Sequence, residues 1–175
     1  CFADGEQAQA LSLSGSGAPR YLFISGGSGI TPVMSMTRAL VDLGTDADII
    51  FVHAARTPAD LIFADELALL ARQHPRLRLA LVCENTGSHP QWAGYLGRLD
   101  QALIQRIVPD LAERDVYTCG PAPFMGAVRT MLGNAGHPPA LYREESFNFE
   151  TLAASGAEPD TSAGAAPARG KPSRT

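Results

Sequence analysis

The sequence predicts an α/β fold: a doubly wound, parallel, five-stranded sheet with helices on both faces, followed by a flexible C-terminal tail. Three observations carry this. Short runs of Ile, Val, Leu and Phe alternate with segments of helical periodicity, the order of strand–helix–strand units joined by right-handed crossovers. The first apolar run breaks directly into Gly26-Gly-Ser-Gly29, a turn tight enough to feed a strand into a helix. The chain of 175 residues, 45% hydrophobic and 18% charged, has the size and composition of one globular domain with a proper core.

Taken in order, Cys1–Pro19 is short and rich in small residues, with Phe2, Leu11 and Leu13 among Gly, Ser and Ala; it reads as the last strand and connector of a preceding domain. Tyr21–Ser25 is a continuous apolar run bounded by glycine, as a strand covered on both faces requires. Thr31 is placed to cap the next helix with Pro32 at its first position, and Val33, Met34, Met36, Leu40, Val41 and Leu43 line it up to Gly44. Asp48–Ala54 is a second strand and Leu61–Gln73 a second helix. Leu77–Cys83 is a third strand, followed by a loop over Asn85–Gly97 that Trp92 and Tyr95 hold down. Asp100 caps a short helix ending at Val108. Asp115–Cys119 is a fourth strand, Pro123–Leu132 a helix closed by Gly133 or Gly136, and Ala140–Glu145 the final strand. Residues 20–149 form the domain. Beyond it, 19 of the 25 residues of Thr151–Thr175 are Ala, Gly, Pro, Ser or Thr, too little apolar matter to repay ordering, so 150–175 reads as a flexible linker to something further. A chain that starts at Cys1 rather than Met reads as a fragment or a processed piece.

The bulk numbers exclude several classes. A net charge of −4 offers no electrostatic footprint for nucleic acid, and no apolar run approaches the roughly 20 residues that cross a bilayer. Cys1, Cys83 and Cys119 are odd in number and widely spaced, which predicts reduced thiols in a cytoplasmic protein rather than a disulfide framework, and no C-x-x-C pair points to zinc or to an iron–sulfur cluster held by this chain. The four histidines also lack metal-ligand spacing; His53 lies at a strand end on the functional edge and is a candidate nucleotide contact.

In a doubly wound sheet, ligands sit outside the carboxyl ends of the strands near the switch point. The glycine turn after strand one and Cys119-Gly-Pro121 after strand four both fall on that edge. By generic pattern, Gly26–Pro32 has Pro32 where the dinucleotide fingerprint wants its third glycine, and it lacks the Gly-Lys-Ser/Thr of a phosphate loop. A structural turn and a phosphate seat fit it equally well. Cys119 has three readings: a core thiol, a nucleophile, or a side chain beside a bound ligand; a nucleophile needs a neighbouring base or cation, and the sequence offers none.

Gly26-Gly-Ser-Gly-Ile-Thr-Pro32 after a strand, together with Cys119-Gly-Pro-Ala-Pro-Phe-Met125 opening a helix, resembles the pyridine-nucleotide domain of the ferredoxin–NADP reductase superfamily, over roughly Leu22 to Phe149. The resemblance implies that Gly27, Gly29, Thr31 and Pro32 hold the cofactor pyrophosphate, with Gly26 and Ile30 also among the cofactor-binding residues. It puts Cys119 beside the nicotinamide, placing the carbon that carries the hydride, has Gly120 let the ring approach the backbone, and adds Pro121, Phe124 and Met125 to the cofactor-binding residues. Glu145-Ser-Phe147 resembles the family's terminal acidic-x-aromatic segment, with the carboxylate near the reacting atoms and the ring as a lid over a flavin face. Plant-type NADP enzymes of the family carry Ser-Arg where Cys83-Glu84 stands; Glu84 would repel a 2′-phosphate and accept from ribose hydroxyls, favouring NADH, while Arg56 argues for NADPH. The implied reaction passes hydride from NAD(P)H to FAD and electrons on to an iron–sulfur centre, feeding an oxygenase or demethylase. The flavin barrel, with its Arg-x-Tyr-Ser segment, is missing from this sequence, so FAD and [2Fe–2S] are expected in the full-length protein and not on this chain alone. Residues 1–19 then belong to the end of a flavin domain in cis. The alternatives are the reductase module of a flavohaemoglobin-type enzyme, a redox-sensing NAD(H) module, and a thiol oxidoreductase using Cys119.

Overall fold

The computed structural model describes residues 17–145. The first strand, β1 (Arg20–Gly26), is buried from Tyr21 onward because it lies in the middle of the sheet. A 3-10 turn over Gly27–Gly29 leads into α1 (Ile30–Asp42), after which come β2 (Asp48–Ala55), α2 (Ala64–Gln73), β3 (Leu77–Cys83), β4 (Tyr95–Leu96), α3 (Gln101–Ile107), β5 (Asp115–Cys119), α4 (Ala122–Asn134) and β6 (Tyr142–Glu145). The strand order is β4-β3-β2-β1-β5-β6 and every neighbouring pair is parallel. The order turns back at β1, whose two neighbours are β2 and β5, so the switch point lies there.

Strand periodicity divides the apolar residues between two cores. Leu22, Ile24, Ile50, Val52, Val82 and Val116 face Leu103 and Ile104 of α3 and Val128, Met131 and Leu132 of α4. Tyr21, Phe23, Ile49, Phe51 and Leu77 face Ile30, Val33, Met34 and Leu40 of α1 and Leu67 of α2. Each fully buried side chain of this size contributes about 1.5–3 kcal/mol, which is why the doubly wound arrangement follows from alternation alone.

The structure corrects the expected boundaries in four places. The sheet has six strands, not five, because Tyr95–Leu96 adds a two-residue edge strand inside the segment expected to be all loop. Trp92 does hold that segment: its Nε1–H donates to the Tyr95 carbonyl at 3.1 Å. The first helix begins two residues early. Gly29 is its N-cap and Pro32 its third residue, a position whose N–H has no intrahelical partner, so proline costs nothing. The Thr31 hydroxyl donates to the Ser28 carbonyl instead of capping. The second helix starts at Ala64 because Phe63 is in the left-handed region (φ 56°), which breaks the helix there. The last strand starts at Tyr142, Pro139–Leu141 being a 3-10 turn. Asp100 caps α3 as expected, accepting the Leu103 N–H at 2.8 Å. Gly136, at φ 76°, follows the end of α4, and His137 N–H closes back on the Leu132 carbonyl.

Candidate functional site

The site is built where β1 and β5 end side by side. Ser25 of β1 pairs in register with Cys119 of β5 on one side and His53 of β2 on the other, so the glycine turn and the Cys-Gly-Pro turn leave the sheet together. Two glycines are there for close approach. A Cβ on Gly29 would stand 2.4 Å from the Gly120 backbone and 2.6 Å from the Cys119 carbonyl carbon, a contact no other residue permits. A Cβ on Gly120 would in turn meet the Phe124 ring at 2.7 Å, and one on Gly26 would meet it at 2.9 Å. Phe124, in the first turn of α4, therefore lies flat against both turns. Gly27 takes φ 53°, which turns the chain so that α1 starts next to β1's end with no side chain capping it. In the first turn of α1 the Ile30 N–H donates to the Gly27 carbonyl and Pro32 has no N–H, so an anion seated here would meet the backbone of the Gly26–Gly29 turn and of Thr31.

A cavity of about 620 Å³ opens over these turns, in the range of small-molecule sites. Gly26, Gly27 and Ser28 form its middle, Pro121, Pro123 and Phe124 one end, and Arg56, Glu84 and Arg98 the other. It crosses the carboxyl ends of β5, β1, β2 and β3 at the switch point. Its charged end is made by three neighbouring strand ends. The Glu84 N–H donates to the Ala55 carbonyl and the Asn85 N–H to that of Arg56, which ties Glu84 beside Arg56; Gly97 N–H donates to the Cys83 carbonyl, which brings Arg98 to Glu84 from the other side. Arg98 Nε lies 3.3 Å from Glu84 Oε1.

Of the residues singled out from sequence, Gly26, Gly27, Arg56, Glu84, Pro121 and Phe124 line this cavity. Gly29 and Gly120 are the backbone contact beneath it, and Thr31 and Pro32 occupy the first turn of α1. Ile30 and Met125 send their side chains into the interior, so any contact with a ligand would be through their backbone. His53 is placed otherwise than expected: its ring is fully buried, Nδ1 2.9 Å from the Ser25 hydroxyl, with no surface to offer a nucleotide. It points with Phe51 to the α1/α2 side because it is an odd-numbered residue of β2, whereas the cavity-lining Ala54 and Val82 sit on the other face. Cys119 is 1% exposed, and burial, then the charge of Glu145 beside it on β6, push its thiol above the ordinary value. A thiol so held is protonated at neutral pH, which argues against a nucleophile. Glu145 is exposed at the end of β6, and Phe147 lies outside the described residues. Sequence reasoning missed Ser28 and Arg98. The signal for Arg98 was Gly94 and Gly97 bracketing a run too short to read as a strand.

The family described as "Oxidoreductase NAD-binding domain" matches residues 23–130. The glycine betaine monooxygenase reductase subunit of Pseudomonas aeruginosa is 43% identical over 130 residues, 74% of this chain and 36% of that protein. The stachydrine N-demethylase reductase subunit of Rhizobium meliloti is 41% identical over 133 residues, 76% of this chain and 38% of that protein. Among solved structures, the cytochrome b5 reductase domain of Ulva prolifera nitrate reductase superposes with a TM-score of 0.66 at 26% identity, covering 74% of this chain and 49% of that one. The chain thus spans well under half the length of the curated relatives it matches.

Proposed function

We propose a role that starts from one premise: the chain belongs to the oxidoreductase NAD-binding domain family. In our reading it holds NAD(P)H, with NADH favoured, against the FAD of a flavin domain in the same polypeptide, in a protein that passes electrons through a [2Fe–2S] centre to an oxygenase or demethylase. The relatives named as monooxygenase and demethylase reductase subunits support that destination. The observation that carries the reading is the Gly29–Gly120 contact, which joins the two turns beneath one cavity. Nicotinamide bound there, and the flavin of the neighbouring domain, would supply the hydride and single-electron chemistry.

This chain's own residues bind and orient. Gly26 and Gly27 let the backbone approach a pyrophosphate, the glycine turn and Thr31 give that charge its N–H donors, and Pro32, which has no N–H, fixes the chain's direction at the helix start. The flat Phe124 and the Pro121 turn form an apolar wall at the nicotinamide end. Cys119, protonated and buried, excludes water beside the reacting carbon, and Glu145 stands at the same register one strand away. Glu84 accepts from the ribose hydroxyls at the far end. Buried, unpaired Cys83 and Cys119 fit a reducing cytoplasm.

The test has two parts. The 175-residue chain titrated with NADH should quench or shift the fluorescence of the reduced nicotinamide; failure to bind either reduced nucleotide removes the reading. The full-length gene product should carry a flavin spectrum that NADH bleaches under argon, followed by reduction of a [2Fe–2S] signal; a haem band in its place would transfer the assignment to a flavohaemoglobin-type reductase.

A further inference from the structure

We propose that Arg98 is a specificity-determining residue, and that the Glu84–Arg98 pair, not Glu84 alone, sets how strongly this site rejects a 2′-phosphate. The inference rests on the nucleotide-binding reading above and deepens it at the charged end of the cavity. A lone carboxylate at the end of β3 would repel an anion and select the unphosphorylated ribose. Here two arginines line the same cavity as that carboxylate, Arg56 from the end of β2 and Arg98, paired with it, from just beyond β4. Asp60, the remaining charged group of the lining, is engaged by the Thr57 N–H and hydroxyl, at 3.1 and 2.8 Å. The Arg98 side chain is 84% exposed and its contact with Glu84 is a single one, at 3.3 Å. An exposed pair of this kind is weak, screened by solvent on most sides. Arg98 can therefore leave Glu84 at little cost and donate to a phosphate, for which a guanidinium fork is the better partner.

Two ligand states follow from the same three side chains. With a 2′-hydroxyl, Arg98 stays on Glu84 and the free carboxylate lone pairs accept from the ribose. With a 2′-phosphate, Arg98 and Arg56 turn to the phosphate and hold it against the repulsion of Glu84. The site is thus biased to NADH and still open to NADPH, and Arg98 supplies the opening.

The experiment measures the ratio of NADPH to NADH affinity for the 175-residue chain, with the pair adenosine 2′,5′-bisphosphate and AMP as probes differing only in that phosphate. Arg98→Ala removes a cation and frees the carboxylate, and both effects lower the ratio; a fall of about tenfold or more is expected, the size of one lost charge-assisted hydrogen bond. Glu84→Gln should raise the ratio by a similar factor, and Glu84→Gln with Arg98→Ala should forfeit most of that gain. An unchanged ratio in Arg98→Ala, or a double variant equal to Glu84→Gln, overturns the role of Arg98 while leaving nucleotide binding intact. Loss of both nucleotides from the unaltered chain overturns the binding reading and this inference with it.

Discussion

His53 shows how one misplaced residue becomes informative. Its position at the end of β2 suggests a ligand contact, but the period of two along a strand sends it to the α1/α2 core with Phe51, where its ring is fully buried. Burial, opposed by a hydrogen bond to Ser25, pushes its pKa down to about 4. The imidazole is neutral in the fold at pH 7, while in the unfolded chain it takes a proton near pH 6.5. Between those two values the unfolded state binds more protons, so stability falls as pH drops through 6.5 towards 4. The loss between pH 6.5 and 5 attributable to this ring should be about 2 kcal/mol. Urea denaturation of the chain at a series of pH values, beside His53→Phe, measures it: the variant should lose less stability than the parent over that window. Equal slopes would mean that His53 charges as freely in the fold as out of it.

At the scale of elements, the turns decide more than the helices they start. Gly29 caps α1 with its backbone, and its missing side chain lets the glycine turn lie on Gly120. In Gly29→Ala the added Cβ would meet backbone, not a flexible side-chain end, so the two turns must separate. A stability loss of about 1–3 kcal/mol is expected from the overpacking, with weaker NADH binding, because the parted turns no longer share one wall of the cavity. Gly27→Ala, at φ 53° with open space around it, should cost about 1–2 kcal/mol through backbone strain alone; calorimetric melts of the two variants with and without NADH separate the effects. These turns were legible in the sequence because each carries its own chemistry, glycine and proline at fixed offsets from an apolar run. The parallel sheet was legible for a similar reason: β1 and β2 are built on continuous apolar runs, and β3 and β5 are short apolar segments between helical patterns. What escaped was decided by tertiary pairing. Tyr95–Leu96 is a strand only because the end of β3 is there to pair with, and Phe63 ends a helix pattern whose apolar spacing continues through it. The start of α1 slipped because a glycine N-cap leaves no side-chain signature, whereas Thr31-Pro32 looks like one.

Across the whole molecule, chemistry and cohesion sit at opposite ends of the sheet. The cavity lies over the carboxyl ends of the strands. At the other end, just before β5, Arg114 is completely buried and donates to both Asp110 carboxylate oxygens at 2.9 and 2.8 Å, to Asp48 Oδ2 at 2.8 Å, and to the Tyr21 and Asp48 carbonyls at 3.1 Å. One guanidinium thereby ties β1, β2 and the entry to β5, the three strands that flank the switch point. Burial disfavours charge on Asp48 and Asp110, but hydrogen bonds and charge from Arg114 outweigh it and hold both carboxyls below their ordinary values. The unfolded chain therefore binds more protons in acid, and this stabilisation is present above the ordinary carboxylate range and lost as pH falls below it. Arg114→Met leaves Asp48 and Asp110 with only their longer contacts, to Arg78 at 3.4 Å and Arg20 at 3.6 Å, and at pH 7 it should cost about 3 kcal/mol, towards the low end of the penalty for breaking a buried pair from one side. Without Arg114 the two carboxyls lose the main groups that hold them down, Arg78 and Arg20 remaining, so the variant should lose less stability than the parent as both are acidified from pH 7 towards pH 4. Urea denaturation at both pH values checks the sign. Because the knot lies at the far end of the sheet from the cavity, the folded fraction of Arg114→Met should keep the parent's affinity for NADH; a variant within about 1 kcal/mol of the parent at pH 7 would show that the strands beside the switch point are held by the apolar cores alone.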